Sequence, residues 1–230
     1  MFYDAHCHYV NVKGKFYEDF VIAAVSVDYN SSVETLRIQL PNIIKGVAIH
    51  PWRVHEEDIE RIIPLIKQAD FVGELGLDYK YSIANKEKQV EYFTRMIEES
   101  DGKTLNVHSI NSWEEVLNIL LNKGVKRAII HWYSGPIRML KDIEGAGYFI
   151  TINPSFVFQR KHREVAEKVP LDILLTESDG GYVYRGKMLE PYDIVNAVEE
   201  LSKVRGIETK ELHRIIEDNF KKAFQISIRS

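Results

Sequence analysis

Phe20-Val21-Ile22-Ala23-Ala24-Val25-Ser26-Val27 is an apolar run set between polar flanks. Runs of this kind belong to strands buried on both faces, as strands of parallel sheets are. Just downstream, Ser31 or Ser32 is placed to cap a helix in which Val33, Leu36 and Leu40 recur at helical spacing before Pro41 breaks the pattern. A buried strand followed by an amphipathic helix is one βα unit, and the same unit recurs along the chain. Strands are expected at 2–8, 20–27, 46–50, 70–74, 104–108, 127–131, 147–152 and 171–177. Helices are expected at 56–68, 85–100, 112–122, 137–143, 159–169, 191–205 and 209–224, the one at 112–122 with Ser112 and Glu115 in capping-box spacing. Eight such units without a Gly-x-Gly-x-x-Gly turn predict an α/β fold closed into a (β/α)8 TIM barrel, with an open doubly wound sheet as the alternative.

No linker, repeat or low-complexity stretch interrupts the series, so 1–230 is expected to form a single domain. The 230 residues are 45% hydrophobic and 28% charged, enough to bury a full core. One cysteine excludes an internal disulfide framework and fits a reducing compartment. Without a leader-like start or an apolar run approaching the roughly 20 residues of a membrane span, the chain is expected to be cytoplasmic and to have no membrane partner. Nor does it show a feature that demands an obligate protein partner. A net charge of -4 gives no global attraction to nucleic acid, so a phosphate-bearing substrate must be captured by local positive charge or by metal.

The chemistry collects at the predicted strand ends. Side chains two apart on a strand share a face, so His6 and His8 project together with Asp4 deeper on the same side, while Cys7 turns toward the helices as a buried small hydrophobe. His50, His108 and His131 also fall at strand C-termini, as do Glu74 and Asp179, whereas His55, His162 and His213 are scattered. In a barrel those ends converge on one mouth. Imidazoles and carboxylates drawn from several strands suit Zn²⁺, Mn²⁺, Co²⁺ or Fe²⁺, with Mg²⁺ less natural because it prefers oxygen. Their number exceeds the needs of one ion, and two divalent metal ions roughly 3.5–4 Å apart would use them all. Glu74, lying between the histidine groups in barrel order, is the candidate bridge.

The segments Asp4-Ala5-His6-Cys7-His8, Ile49-His50-Pro51, Gly73-Glu74-Leu75-Gly76-Leu77-Asp78-Tyr79, Val107-His108-Ser109, Ile130-His131-Trp132-Tyr133-Ser134-Gly135 and Thr176-Glu177-Ser178-Asp179 resemble, in order and spacing, the TatD family of metal-dependent deoxyribonucleases. That family belongs to the amidohydrolase-like barrel hydrolases. The closing Asp218-Asn219-Phe220-Lys221-Lys222-Ala223-Phe224 is similar to the family's ending, so the resemblance spans the chain. It implies that His6, His8, Asp179 and Glu74 hold one ion and that Glu74, His108 and His131 hold the other. It further implies that Asp179 orients or deprotonates the attacking water, that His50 positions substrate, and that the substrate is DNA. Asp78 is expected either to cap a helix or turn or to hold a ligand histidine in one tautomer. The chain departs from the family at His108-Ser109-Ile110, where an arginine is usual, and at Ser178-Asp179-Gly180-Gly181, where Thr-Asp-Ala-Pro is usual. These departures leave two alternatives open: hydrolysis of small esters, lactones or amides on the same site, and a non-catalytic module that binds metal or nucleic acid. Trp132 is a candidate for base stacking, and Arg160-Lys161-His162-Arg163, Arg185 and Lys187 are candidates for phosphate contacts.

Overall fold

The computed structural model describes residues 1–12 and 17–226. Eight strands among them form one parallel sheet in chain order: β1 (Phe2–Cys7), β2 (Phe20–Ala24), β3 (Ile43–Val47), β4 (Phe71–Asp78), β5 (Leu105–Ile110), β6 (Ala128–Ile130), β7 (Phe149–Ile152) and β8 (Leu174–Thr176). Between and after them run α1 (Tyr29–Leu36), α2 (Ile59–Ile66), α3 (Lys86–Glu98), α4 (Trp113–Asn122), α5 (Leu140–Gly145), α6 (Arg160–Lys168), α7 (Asp193–Arg205) and α8 (Thr209–Phe224). The last strand returns to the first. Asp179 N–H donates to His6 O at 3.0 Å and His8 N–H to Gly180 O at 2.8 Å, joining the C-terminal end of β1 to the segment just beyond β8. Asp4 fastens the same seam: its Oδ1 accepts from Ser178 N–H at 2.9 Å, and Thr176 Oγ1 donates to Tyr3 O at 2.7 Å. The sheet is thereby wrapped into a barrel, as the repeated βα units predict, and the open doubly wound alternative fails.

The strands are buried along almost their whole length, with Ile22, Val47, Val72, Val107, Ile129, Ile150 and Leu174 in the core. Continuous apolar runs have that property because barrel interior and helix layer both shield them from water. Cys7 joins this core, as its outward alternation predicts. Asp4 is buried too, and burial lifts its carboxyl to about 8 against the lowering effect of its bonds to Ser178 and His6. It is a seam residue, in keeping with the structural role its depth implies. The terminal motif is likewise structural: Asn219 Nδ2 donates to Leu171 O and Leu174 O at 2.7 and 2.9 Å, and Phe224 packs on Phe71 with ring centroids 5.1 Å apart.

Several boundaries differ from those expected. The first helix starts at Tyr29 rather than after Ser31 or Ser32, because Asp28 is the cap and accepts from Ser31 N–H at 2.8 Å. Strand β3 ends at Val47, so His50 sits on the following turn, where its N–H donates to Val27 O at 2.9 Å. The eighth strand is only Leu174–Thr176, preceded by a single 3-10 turn. Ser112 makes no capping bond; its hydroxyl donates to Leu77 O at 2.7 Å, a tertiary contact that outcompetes the local one. A short hairpin, Val183–Tyr184 with Lys187–Met188, follows the eighth strand and was not expected. No helix among the described residues is long and apolar enough to cross a membrane.

Candidate active site

Glu74 lies at the centre of the mouth. Its backbone is pinned on both sides, because Glu74 N–H donates to Ser26 O at 2.8 Å and Ser26 N–H to Gly73 O at 3.1 Å. Gly73 leaves no alternative to this close approach: a Cβ there would stand 2.6 Å from Asn106 Cβ. Three residues after Gly73 the backbone of Gly76, with φ of +146°, runs so near β5 that a Cβ would meet His108 O at 2.0 Å. The tight β4–β5 pairing therefore sets Glu74 and His108 against each other.

The two oxygens of Glu74 face different partners. Oε2 looks toward β1, 3.5 Å from His6 Nε2 and 3.4 Å from His8 Nε2. Asp179 Oδ1 completes that side, 3.5 Å from His6 Nε2 and 3.1 Å from His8 Nε2. Oε1 looks the other way, to His131 Nε2 at 2.8 Å, His108 Nδ1 at 2.9 Å and His50 Nε2 at 3.1 Å. Across the barrel the His6 and His131 rings stack at 3.9 Å, so residues from the first and sixth strands are in contact. All seven expected site residues are brought together.

Behind them, hydrogen bonds fix which nitrogen of His6 and of His108 faces the centre. Asn106 Nδ2 donates to Ala5 O at 2.7 Å, which leaves its Oδ1 to accept from His6 Nδ1–H at 2.8 Å. The lone pair of His6 is thus on Nε2, aimed at the cluster. Asp78 Oδ2 stands 3.0 Å from His108 Nε2, so the hydrogen sits there and Nδ1 faces Glu74. This is one of the two roles expected of Asp78. Burial pushes its carboxyl up, but the His108 bond and the backbone N–H groups of Tyr81 and Lys80 prevail and bring it to about 2. Asp78 also accepts from Trp52 Nε1–H at 2.6 Å. Behind His131, Glu177 Oε2 lies 3.5 Å from Nδ1 and is itself bonded to Thr151 Oγ1 at 2.5 Å.

His50 is different in kind. Its Nδ1 accepts from Trp52 N–H at 3.1 Å, so the hydrogen is on Nε2 and is donated to Glu74. Burial lowers its pKa to about 4 despite the Glu74 charge, which keeps the ring neutral at pH 7. His8, His108 and His131 shift oppositely: burial disfavours their charged forms, but neighbouring carboxylates outweigh it and raise all three. Glu74 and Asp179 are held low by the surrounding imidazoles, against the opposing cost of burial. The pocket thus concentrates negative charge ringed by basic nitrogens.

That donor set fits divalent ions of borderline character. A second sign is that His6 Nε2 and Asp179 Oδ1 are buried with no hydrogen-bond partner among the described residues, a costly arrangement unless the atoms serve a cation. His6, His8 and Glu74 form one group with ligand-capable atoms in mutual reach, and His50, Glu74 and His108 another. Trp132 and Asp179, flanking the site, have φ of +40° and +52°. Trp132 is held so by its N–H, which donates to Thr151 Oγ1 at 2.8 Å.

Sequence reasoning missed Asn106 and Glu177 as supports. Asn106 lies inside β5 two residues before His108, and Glu177 directly follows β8 two residues before Asp179; that spacing from candidate residues was the available signal. The basic run proves less free than its composition suggests: Arg160 and Arg163 pair with Glu164 and Glu167 one turn on, Lys187 pairs with Asp193, and His162 is buried.

Fold and site define a barrel hydrolase, and comparison with known proteins supplies the family. The profile described as TatD related DNase matches residues 3–225. An uncharacterized metal-dependent hydrolase of Methanocaldococcus jannaschii is 27% identical over 243 residues, covering 96% of each chain. The human deoxyribonuclease TATDN3 is 25% identical over 256 residues, 96% of this chain and 93% of that one. The TatD homologue YjjV of Escherichia coli K12 superposes with a TM-score of 0.87 at 19% identity over 98% of both chains, which establishes the shared fold. This chain belongs to the TatD-related DNase family and is a metal-dependent hydrolase of that type.

Proposed function

We propose that this protein is a deoxyribonuclease, that it cleaves phosphodiester bonds at the barrel mouth with two divalent ions, and that the whole chain works as one catalytic unit. His6, His8, Asp179 and Glu74 would hold one ion, and Glu74, His108 and His131 the other. The observation that carries this reading is Glu74, a carboxylate 3% exposed whose two oxygens address two separate sets of imidazoles. Zn²⁺, Mn²⁺ and Co²⁺ suit these donors best. When bound, such ions acidify water toward neutral pH and neutralise charge on the reacting phosphoryl group.

The protein's own groups do the rest. Asp179, whose carboxyl the surrounding imidazoles hold low against the cost of burial, takes the proton of the attacking water. His8, 3.1 Å away, keeps that carboxylate aimed into the mouth. His50 cannot offer a lone pair from Nε2, so it donates that hydrogen, here to Glu74 and in the substrate complex to a phosphoryl oxygen. Asn106, Asp78 and Glu177 hold the rings in place, so the site needs little rearrangement during the reaction. DNA as substrate is supported by the family description and by the name of the human relative. The small-ester and binding-module readings gain no observation of their own.

Digestion of end-labelled single-stranded DNA with added Mg²⁺ or Mn²⁺ tests the proposal. Wild type is expected to degrade it, whereas Glu74→Ala and Asp179→Asn are not. Undiminished cleavage by both variants would overturn the assignment.

A further inference from the structure

One side of the mouth carries an aromatic array that the steps above do not use. It is built by the segments that follow β6, β7 and β8. Trp132 comes directly after His131, Phe158 lies beyond β7, and Tyr184 and Arg185 stand on the hairpin that follows Asp179. Tyr184 meets Trp132 edge-on with centroids 5.3 Å apart. Phe158 lies over Tyr184, 6.2 Å away and inclined by only 20°. The Arg185 guanidinium is 5.5 Å from the centroid of each of these two rings. Gln159 Nε2 donates to the Tyr184 hydroxyl at 2.7 Å, which ties the loop after β7 to the hairpin and fixes the Tyr184 ring.

Aromatic pairs usually form to leave water, and this one does not. Phe158 is 58% exposed, and its neighbours Val157 and Val183 are about as open. Arg185 has no ion-pair partner among the described residues, while Arg160, Arg163 and Lys187 nearby are all paired. An exposed ring backed by a fixed second ring and flanked by a free guanidinium contributes little to folding, and such patches mark binding surfaces. The array also begins at the site itself: Tyr182 N–H donates to Asp179 O at 3.2 Å, and Trp132 adjoins His131.

We propose that Phe158, Tyr184 and Arg185 form a nucleobase-stacking platform beside the mouth, which grips a base of the bound strand in addition to its phosphates. This deepens the phosphodiesterase reading and rests on it. A duplex presents its base faces to each other, so only an unpaired strand can lay one on Phe158. Tyr184 backs that ring, and Arg185 adds cation attraction to the stacked base or to the adjoining phosphate. With a net charge of -4 the chain has little long-range pull on a polyanion, and stacking supplies affinity that salt does not screen.

The test is fluorescence anisotropy with a labelled, phosphorothioate-linked oligothymidine and an abasic oligomer of equal length and charge. Wild type is expected to bind the base-bearing strand about tenfold more tightly. Phe158→Ala removes an exposed side chain and should erase that preference while leaving abasic binding unchanged; Phe158→Trp should retain it. Equal affinity of wild type for both ligands would overturn the platform, as would an equal loss on both in Phe158→Ala. Concentration-dependent self-association abolished by Phe158→Ala would reassign the patch to a second copy of the chain and also overturn it. Base preference in a protein that cleaves no DNA would sink the nuclease reading alone, whereas cleavage without base preference would sink the platform alone.

Discussion

The two sides of Glu74 differ in how they are held. Around Oε2, the imidazoles and Asp179 stand 3.1–3.5 Å apart and two buried atoms lack a hydrogen-bond partner. Around Oε1, three imidazole nitrogens close to 2.8–3.1 Å, and on this side it is His131 Nδ1, turned away from the carboxylate, that is buried without a hydrogen-bond partner among the described residues. The outer supports differ as well: His6 leans on a neutral amide, Asn106, while His108 and His131 lean on the carboxylates Asp78 and Glu177. The first side is the more loosely spaced; the second packs closer on the carboxylate and has negative charge behind it. A shared carboxylate thus serves two environments that differ in spacing and in what stands behind them.

The widest break in that contrast is Glu74→Ala, which takes an oxygen from both sides. DNA cleavage is expected to fall by more than about 10³-fold, and metal content, read by elemental analysis of the purified protein, should collapse for both ions. Asp179→Asn touches one side alone. It should lower the cleavage rate by about 10²–10⁴-fold through loss of the proton acceptor while leaving the ion on the His108–His131 side bound, a result that metal stoichiometry would check. The outer supports sharpen the comparison further. Asp78→Asn should weaken metal binding by about 10–100-fold on the Oε1 side, and Asn106→Ala by a similar factor on the Oε2 side. Titration with Co²⁺, followed by its visible absorption, would separate the two, and loss of the same ion in both variants would contradict the division.

The last effect lies outside both sides and bears on stability rather than on the site. His162 is buried neutral, its Nε2 accepting from Asn153 N–H at 2.9 Å and its Nδ1 donating to Tyr133 O at 2.9 Å. Burial depresses its pKa from 6.5 to about 4. The unfolded chain therefore takes up a proton that the native state refuses, so stability is complete above pH 6.5 and declines as pH falls toward 4. The loss is up to about 3 kcal/mol. In His162→Gln that part of the acid slope should vanish, so the stability gap from wild type, measured by urea denaturation, narrows at low pH. A gap constant across the range would contradict it.

How much of this was legible beforehand depends on whether the signal was local. The run 20–27 betrayed a strand buried on both faces, and the histidines at strand ends betrayed the mouth, because both patterns are written in neighbouring residues. Asp78 was readable as a support because it lies in the Gly73–Tyr79 segment a few residues beyond Glu74, and the structure then extends β4, expected to end at Glu74, as far as Asp78. Asn106 and Glu177 were not, since an amide or a carboxylate on a strand has many possible partners and only packing across the barrel selects His6 or His131. Ser112 illustrates the reverse error: its capping-box spacing is genuine, but Leu77 O, from another strand, claims the hydroxyl.

The sequence by itself determined the alternation of strands and helices, the burial of the strands and the identity of the residues that gather at their ends, because periodicity and side-chain chemistry act over a few residues. Tertiary structure alone decided that Glu74 turns one oxygen to each side, that His50 offers a hydrogen where His6 and His108 offer lone pairs, and that Phe158 rests on Tyr184 in the open. Those outcomes depend on hydrogen bonds and contacts between strands and loops distant in the chain, and no local pattern encodes which partner a polar atom will meet once the barrel closes.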